Sequence, residues 1–426
     1  MSENAPLLPA TAPPAERRRA RGSITLLVPV VLVLATLGVL IFGKREPSDP
    51  LSLARYWLDH TPIIDGHIDL PIYVREMYGN DVTKFDLRKK MSGHVDIPRI
   101  REGRLGGFFW SVYADCHEKI DGPDFLNPSH HVRDTLEQID VARNLMDRYA
   151  GTFEFVTTAQ GARDAMARGR VASFMGIEGA HQLGNSLGVL RQYYNLGVRY
   201  ATLTHSCNNA FADSGGYVQP NATWGGLSPF GYELVKEMNR LGMLIDLSHV
   251  SDDTARQAIK ASKAPIMLSH SAARHFNNFS RNVPDDVLGM IGRGKGQTDG
   301  VVMVNFFPFF ASKDPDSVDA ASIADQIDYI ASKTGHHHVG IGSDFDGIDR
   351  VPKGLEDVSK YPHLIAELIR RGWTRYQVAQ LAGGNILRVL EGAEAVAARL
   401  QRVNGPSMAK YSKRHDLDGG WGGFEL

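Results

Sequence analysis

The sequence predicts an α/β protein with a TIM-like (β/α)8 barrel, preceded by one transmembrane helix. Eight short apolar runs alternate with amphipathic segments along one long stretch of the chain. Continuous apolar runs are typical of parallel strands buried on both faces, and their alternation with helices favours a barrel. Most of the runs end in His, Asp or Glu, and the carboxyl ends of barrel strands share one mouth. The third observation is an uncharged apolar stretch close to the N-terminus.

This N-terminal stretch, residues 24–43, contains no charged residue. About 20 such residues span a bilayer as a helix, whereas the core of a signal peptide has about 7–15. Because nothing polar marks a second face, we expect an uncleaved anchor rather than a buried core helix. Arginines at positions 17–21 outnumber the basic residues 44–45, which places residues 1–23 in the cytosol. We therefore expect a single-pass type II membrane protein with its barrel at the cell surface or, given the dileucine-like ENAPLL, in a vacuolar lumen.

The barrel domain is predicted over residues 52–403, after a stalk at 44–51 and before an irregular tail at 404–426. The eight candidate strands share an apolar composition and lie at residues 62–67, 107–112, 171–177, 198–204, 243–248, 265–269, 300–305 and 338–343.

Helical features occur between these strands. Residues 131–150 carry apolar residues at helical spacing, residues 251–262 open with Ser251 and two acidic residues, and residues 320–335 end with Gly335 as a C-cap. The long Gly/Asn/Pro segment 206–230 is expected to cover the barrel mouth.

Charge and cysteine content restrict the partners and the compartment. Lys+Arg 47 against Asp+Glu 48 leaves no basic field for nucleic acid. The two cysteines, Cys116 and Cys207, each follow a strand-like run, and a disulfide is favoured over two buried thiols. Asn221 and Asn278 lie in glycosylation sequons, a pattern that recurs by chance.

Polar residues at the strand ends point to a metal site of the hydrolase type. His67 and Asp69 lie on the same side of an extended segment, although a hydrogen-bonded pair is the alternative. Glu178 ends a buried run and can join two cations about 3.5–4 Å apart, while a salt bridge to an arginine is an equally good reading. His249 and His270 end consecutive runs, so both imidazoles are expected to share one metal.

Other residues near the mouth are candidates for proton transfer and substrate binding. Asp344 is the predicted acid–base group, with Asp346 as its competitor. His205 is free to donate a hydrogen bond to an oxyanion, and Arg281 could hold a substrate carboxylate, with a surface salt bridge as its alternative. The triplet at 336–338 enters the eighth strand at its bottom end, so these histidines are expected to be structural or solvated.

Ordered motifs over roughly residues 52–395 give the chain a specific resemblance to a known family. It resembles the membrane (renal-type) dipeptidases, the zinc peptidases of family M19, and looks like a fungal-type member with an N-terminal anchor. The matching segments are IDGHIDLP, FFWSVYADC, GIEGAHQL, YATLTHSCNNAFADS, LIDLSHVS, LSHSAARHF, SRNVPDDVL, HVGIGSDFDG and GGNILRVLE.

The resemblance implies two zinc ions per chain and hydrolysis of dipeptides by a metal-bridging hydroxide. One zinc would be held by His67 and Asp69 and the other by His249 and His270, with Glu178 bridging. His205 would stabilise the oxyanion, Asp344 would carry the proton to the leaving amine, and Arg281 would bind the substrate C-terminal carboxylate. Cys116 and Cys207 match a family disulfide, and a homodimer is compatible with the resemblance.

Two other functions compete with this reading. One is a related amidohydrolase that acts on a non-peptide amide or lactone, for which Arg281 would be dispensable. The other is a catalytically dead barrel that serves as a surface binding protein. Loss of a predicted ligand would favour the latter, and none is missing from the sequence.

Overall fold

Eight parallel strands close into a barrel in the computed structural model, which describes residues 46–116, 129–216 and 221–414. Asp65 in the first strand pairs with Ile341 in the last, which completes the ring. The nine strands in this part of the chain are β1 (Ile63–Ile68), β2 (Leu105–Ser111), β3 (Phe153–Phe155), β4 (Val171–Glu178), β5 (Val198–Thr202), β6 (Leu244–Asp246), β7 (Ile266–Ser271), β8 (Gly300–Val304) and β9 (Val339–Ile341). All except β3 belong to the ring, and each overlaps one predicted strand, so the predicted TIM-like barrel is confirmed.

The short strand β3 was not predicted from the sequence. It pairs with residues 171–173 of β4, on the side that β5 occupies from Met175 onward. Its three residues form too short a run to be recognised by periodicity.

The α-helices surround this sheet and share amphipathic sequences. They are α1 (Pro50–Leu58), α2 (Leu70–Tyr78), α3 (Ile97–Glu102), α4 (Ser129–Arg148), α5 (Ala159–Ala167), α6 (Leu187–Leu196), α7 (Pro229–Leu241), α8 (Asp252–Ala261), α9 (Asp285–Leu288), α10 (Pro308–Ala311), α11 (Ala320–Thr334), α12 (Tyr361–Arg370), α13 (Arg375–Ala379) and α14 (Asn385–Leu400). A π-helical turn, Gln380–Gly384, separates the last two.

The predicted helix ends agree with the observed capping. The Ser251 side chain accepts a hydrogen bond from the Thr254 backbone N–H at the start of α8. Gly335 follows α11 with φ 89°, a conformation that side-chain-bearing residues rarely adopt. Local capping chemistry therefore marks these two boundaries in the sequence.

The predicted anchor, residues 24–43, and the cytosolic tail lie outside the described residues. Among the residues that are described, no helix is long and apolar enough to cross a membrane. The first described helix begins at Pro50, within the segment 44–51 predicted as a stalk, and the Asp49 side chain caps it. At the other end, residues 404–414 form neither helix nor strand, yet Tyr411 is buried and its ring lies 5.9 Å from that of Phe230.

Candidate active site

The barrel brings the predicted site residues together where its strands end. Seven of them lie on, or within three residues after, six strands of the ring. They are His67 in β1, Asp69 just after it, Glu178 at the end of β4, His205 after β5, His249 after β6, His270 in β7 and Asp344 after β9. Apart from the half-buried His205 and His249, these side chains are buried.

Glu178 lies between two groups of ligand atoms. Its Oε2 is 3.5 Å from His67 Nε2, which in turn is 3.1 Å from Asp69 Oδ2. Its Oε1 is 2.9 Å from His249 Nε2 and 3.1 Å from His270 Nε2. The two carboxylate oxygens therefore face different ligand groups, as a bridging ligand requires. The alternative considered for Glu178, a salt bridge to an arginine, is not found among the described residues.

The chemistry of these donors fits a divalent metal. His249 Nε2 and His270 Nε2 are only 2.9 Å apart, and burial lowers the pKa of both imidazoles well below the ordinary value. Two imidazole nitrogens and a carboxylate oxygen thus converge on one point, an arrangement that suits a shared divalent cation. Asp69 Oδ1 is buried with no hydrogen-bond partner, a further indication of a ligand atom.

The surroundings of His67 also favour positive charge. Burial alone would lower the pKa of this imidazole, but Tyr200, Asp69 and Glu178 raise it well above its ordinary value. A proton or a metal ion satisfies the same negative potential, and the metal can engage Asp69 and Glu178 together.

Tyr200 contacts the His67 ring nitrogen that faces away from the carboxylates, and it was not predicted as a site residue. Its hydroxyl lies 2.8 Å from His67 Nδ1, which leaves Nε2 directed at the carboxylates. Its ring fits because residue 176 is glycine: a Cβ there would lie 2.2 Å from the ring. Tyr200 sits inside an apolar strand run, where a single sequence offers no signal that separates it from the core.

The two candidate acid–base residues are separated by their orientation. Asp344 Oδ1 lies 3.9 Å from His67 Nε2, and its Oδ2 accepts a hydrogen bond from Asn305 at 2.9 Å. Burial raises the pKa of this carboxyl well above its ordinary value. Asp346 Oδ1 instead accepts a hydrogen bond from the His94 backbone N–H, and the Asp346 backbone N–H donates to the His94 ring at 2.9 Å. Of the two aspartates, Asp344 is therefore the one whose side chain lies beside the predicted metal ligand His67.

Three non-glycine residues near the site adopt left-handed backbone conformations. His249, Asp344 and Asp346 have φ values of 65°, 68° and 66°. Such conformations are uncommon for residues with a Cβ and cluster at functional sites. Here they turn the chain sharply just beyond a strand, which lets His249 and Asp344 point back into the mouth.

His205 faces the metal ligands without joining them closely. Its Nε2 lies 4.0 Å from Glu178 Oε1, and its Nδ1 lies 3.1 Å from Ser206 Oγ and 3.4 Å from the Tyr113 hydroxyl. Burial holds the pKa of His205 well below its ordinary value, so the ring is neutral near pH 7. In the tautomer whose Nδ1 accepts from the Ser206 hydroxyl, the ring proton lies on Nε2 and points towards the site.

Arg281 is buried beside the site and is not the surface salt bridge considered as its alternative. Its Nη2 donates to the His270 carbonyl at 2.7 Å and its Nη1 to Ser271 Oγ at 3.2 Å. Among the described residues, Nε has no hydrogen-bond partner and the guanidinium forms no ion pair with a carboxylate. Burial lowers its pKa to about 10, which still leaves it charged at pH 7. A buried cation with spare donors is suited to an anionic ligand.

The loop after β5 is fixed at the barrel mouth. Cys116 and Cys207 form a disulfide that joins the segment after β2 to this loop. Asp213 organises its middle by accepting hydrogen bonds from the backbone of Thr223, Trp224 and Gly226. The loop is therefore held by covalent and polar contacts.

The remaining sequence candidates are not among the residues that surround Glu178. Both sequon asparagines, Asn221 and Asn278, are exposed. In the histidine triplet, His338 Nδ1 lies 2.8 Å from the Gly300 carbonyl at the start of β8, the opposite end of the barrel. This contact agrees with the structural role expected for that triplet.

Comparison with known proteins assigns this arrangement to a family. The family model for membrane dipeptidases, peptidase family M19, matches residues 52–404. The chain belongs to the membrane dipeptidase family. The predicted resemblance is thereby confirmed, and the protein is an enzyme of the metallopeptidase class that hydrolyses dipeptides.

Several relatives resemble this membrane dipeptidase along most of its length. A protein of Schizosaccharomyces pombe described as an uncharacterized dipeptidase is 44% identical over 384 residues, covering 89% of this chain and 91% of its own. A metallopeptidase of Rhodobacter sphaeroides, solved with a phosphinate mimic of the dipeptide L-Ala-D-Ala, is 27% identical with TM-score 0.69, covering 78% and 99% of the two chains. The structure of dipeptidase AC, an M19 metallopeptidase, is 28% identical with TM-score 0.69 and coverage of 78% and 99%.

Proposed function

We propose that this membrane dipeptidase uses two zinc ions, one held by His67 and Asp69 and one by His249 and His270, with Glu178 between them. The observation that carries the proposal is the division of the Glu178 oxygens, one facing each ligand group at 2.9–3.5 Å. When bound, the metals supply an activated water and polarise the substrate carbonyl.

The other residues have separate tasks in hydrolysis. Arg281 holds the substrate C-terminal carboxylate through its spare N–H groups, because no described carboxylate neutralises it. His205 donates from Nε2 to the oxyanion that develops at the scissile carbonyl. Asp344, oriented by Asn305, accepts a proton and delivers it to the departing amine. The site thus selects short substrates whose carboxylate reaches Arg281 while their amide lies between His205 and Asp344.

The metallopeptidase of Rhodobacter sphaeroides, bound to a phosphinate mimic of the dipeptide L-Ala-D-Ala, supports a small dipeptide as the substrate class. The two competing functions receive less support. A neutral lactone has no carboxylate for Arg281 to bind. A catalytically inactive barrel does not require the predicted metal-ligand residues, all of which are present in the sequence.

The test is metal content and hydrolysis of Gly-containing dipeptides, measured on the wild-type chain and on Glu178→Gln. We expect two zinc ions per wild-type chain, and loss of at least one metal ion together with about 100-fold or more of the activity in the variant. Glu137→Gln, the same change on the exposed side of α4, is the matched control. If Glu178→Gln kept two metal ions and wild-type activity, the bridging assignment would be wrong.

We further propose that residues 24–43 anchor the enzyme as a type II membrane protein with the barrel outside the cytosol. The uncharged apolar composition and the arginines on its N-terminal side support this orientation. Protease added to sealed vesicles that carry the full chain should spare the barrel in the lumen and remove only residues 1–23. Digestion of the barrel in intact, lumen-enclosing vesicles would contradict the proposal.

A further inference from the structure

Asp246 is a buried carboxylate next to the site for which the proposed reaction gives no task. It ends β6, is 0% exposed and forms no ion pair among the described residues. Four donors surround it instead. Oδ1 accepts from the backbone N–H groups of Ser248 and Ser269 at 3.1 and 2.8 Å, and Oδ2 accepts from the hydroxyls of Thr202 and Ser269 at 2.5 and 2.6 Å. Burial of a carboxylate without an ion-pair partner is expensive, so one that is surrounded by four hydrogen-bond donors needs an explanation.

The Ser269 hydroxyl connects this carboxylate to a proposed metal ligand. Ser269 Oγ lies 2.8 Å from His270 Nδ1 as well as 2.6 Å from Asp246 Oδ2. A hydroxyl has one proton, and an ionised carboxylate can only accept. Ser269 must therefore donate to Asp246, which leaves its oxygen to accept from Nδ1–H of His270. A neutral His270 then has no proton on Nε2, the atom that faces Glu178 at 3.1 Å.

We propose that Asp246 is a positioning residue that, through Ser269, fixes the tautomer of His270 with Nε2 free to bind metal. Metal-binding histidines commonly donate their other ring N–H to a carboxylate or carbonyl, and here a serine hydroxyl relays the bond. This assignment rests on the proposed metal site at His249 and His270.

Asp246→Asn provides a specific test because it reverses the direction of the two hydrogen bonds that join residue 246 to Ser269 and Ser269 to His270. The two backbone N–H donors hold the amide oxygen at the Oδ1 position, so the amide NH2 faces Ser269 and becomes a donor. Ser269 must then donate to His270 Nδ1, which places the ring proton on Nε2, in the metal position. An Asp-to-Asn change beside a catalytic histidine imposes the wrong tautomer in serine proteases by the same logic.

The first readout is the tautomer itself, in the metal-free protein. With 15N-labelled histidine, NMR should show His270 protonated on Nδ1 in the wild type and on Nε2 in Asp246→Asn. The signal is assigned by its loss in His270→Gln. A purely structural role for Asp246 would change stability without moving this proton.

The second readout is zinc affinity, measured by competition with a chromophoric chelator. We expect Asp246→Asn to weaken the site of His249 and His270 by about 10–100-fold and Ser269→Ala to weaken it less, because alanine removes the relay without imposing the wrong tautomer. Two buried controls lie elsewhere: Asp96→Asn changes the carboxylate that caps α3 and pairs with Arg99, and Ser173→Ala removes a hydroxyl that donates to the Val171 carbonyl. Both should retain wild-type zinc affinity.

The outcomes separate this assignment from the proposed function. A folded Asp246→Asn protein with wild-type tautomer and zinc affinity overturns the role of Asp246. If Asp246→Asn does not fold, an unchanged His270 tautomer and zinc affinity in Ser269→Ala overturn it equally. A wild-type chain that binds zinc but hydrolyses no dipeptide refutes the proposed substrate class and leaves the tautomer result standing.

Discussion

Replacement of Arg281 tests substrate recognition most directly. The guanidinium is 5% exposed, lies 5.4 Å from the centre of the Phe310 ring and forms no ion pair with a described carboxylate. Its Nη2 is held by the His270 carbonyl and its Nη1 by Ser271, so the arginine is oriented before the substrate arrives. Arg281→Ala removes the proposed carboxylate clamp, and Arg281→Lys retains a charge without the planar pair of donors.

The expected loss of kcat/KM follows from the hydrogen bonding that Arg281 would contribute to the substrate carboxylate. A hydrogen bond to a charged group contributes about 1.5–3 kcal/mol, and each 1.4 kcal/mol is about tenfold. Arg281→Ala should therefore lower kcat/KM for a dipeptide by about 10–100-fold, with Arg281→Lys between the alanine variant and the wild type.

The decisive assay compares each dipeptide with its C-terminal amide, which has no carboxylate. The wild type should prefer the acid, and Arg281→Ala should lose that preference while its kcat/KM for the amide stays close to wild type. Arg256→Ala, which removes an arginine paired with Asp253 and Asp286 on the outer surface, controls for a general loss of charge. An equal loss on acid and amide would show that Arg281 supports the fold or the metal site instead, and would refute the clamp.

Two further predictions concern the segments that hold the mouth and the tail. Replacing Cys116 and Cys207 together by serine removes a covalent link between positions 91 residues apart. The free energy of unfolding in urea should fall by about 2–5 kcal/mol, and KM should rise because the loop after β5 loosens. Unchanged stability and KM would contradict this. Tyr411→Ala leaves a cavity where the buried ring packs against α7 and should lower the free energy of unfolding by about 3 kcal/mol. Met408→Ala, at a 78% exposed position of the same tail, should leave it unchanged. Equal effects of the two changes would mean that the tail does not pack in solution.

Much of the barrel could be predicted because its strands are buried on both faces and therefore stand out as apolar runs. The strand ends were less certain: the run 243–248 yields a strand only at Leu244–Asp246, because the chain turns before it reaches His249. Apolar composition continues past the last ladder hydrogen bond, so hydrophobicity alone overestimates strand length. The opposite error occurs at Phe153–Phe155, where three residues pair with β4 without any detectable pattern.

The candidate ligand residues were recognisable in the sequence because polar residues at the ends of buried strands are conspicuous. Their supporting partners were not, since Tyr200 and Ser269 occur within strand runs and only the closed barrel brings their hydroxyls to the imidazoles. The choice between Asp344 and Asp346 also required the structure. Both follow β9 at the same spacing that places His67 and Asp69 on one side, but left-handed backbone at each aspartate sends the side chains apart.

The charges of the site explain why a substrate with a free carboxylate suits it. Arg281 carries a positive charge at pH 7 and forms no ion pair with a carboxylate of the described residues. Burial raises the pKa of Glu178 and of Asp344, so cations beside these carboxyl groups favour their ionised forms. The metal ions of the proposed site would supply that positive charge, and Arg281 would still have no carboxylate partner. A substrate carboxylate would pair with Arg281, whereas a C-terminal amide would not, and this is the physical reason to expect the preference that Arg281→Ala should abolish.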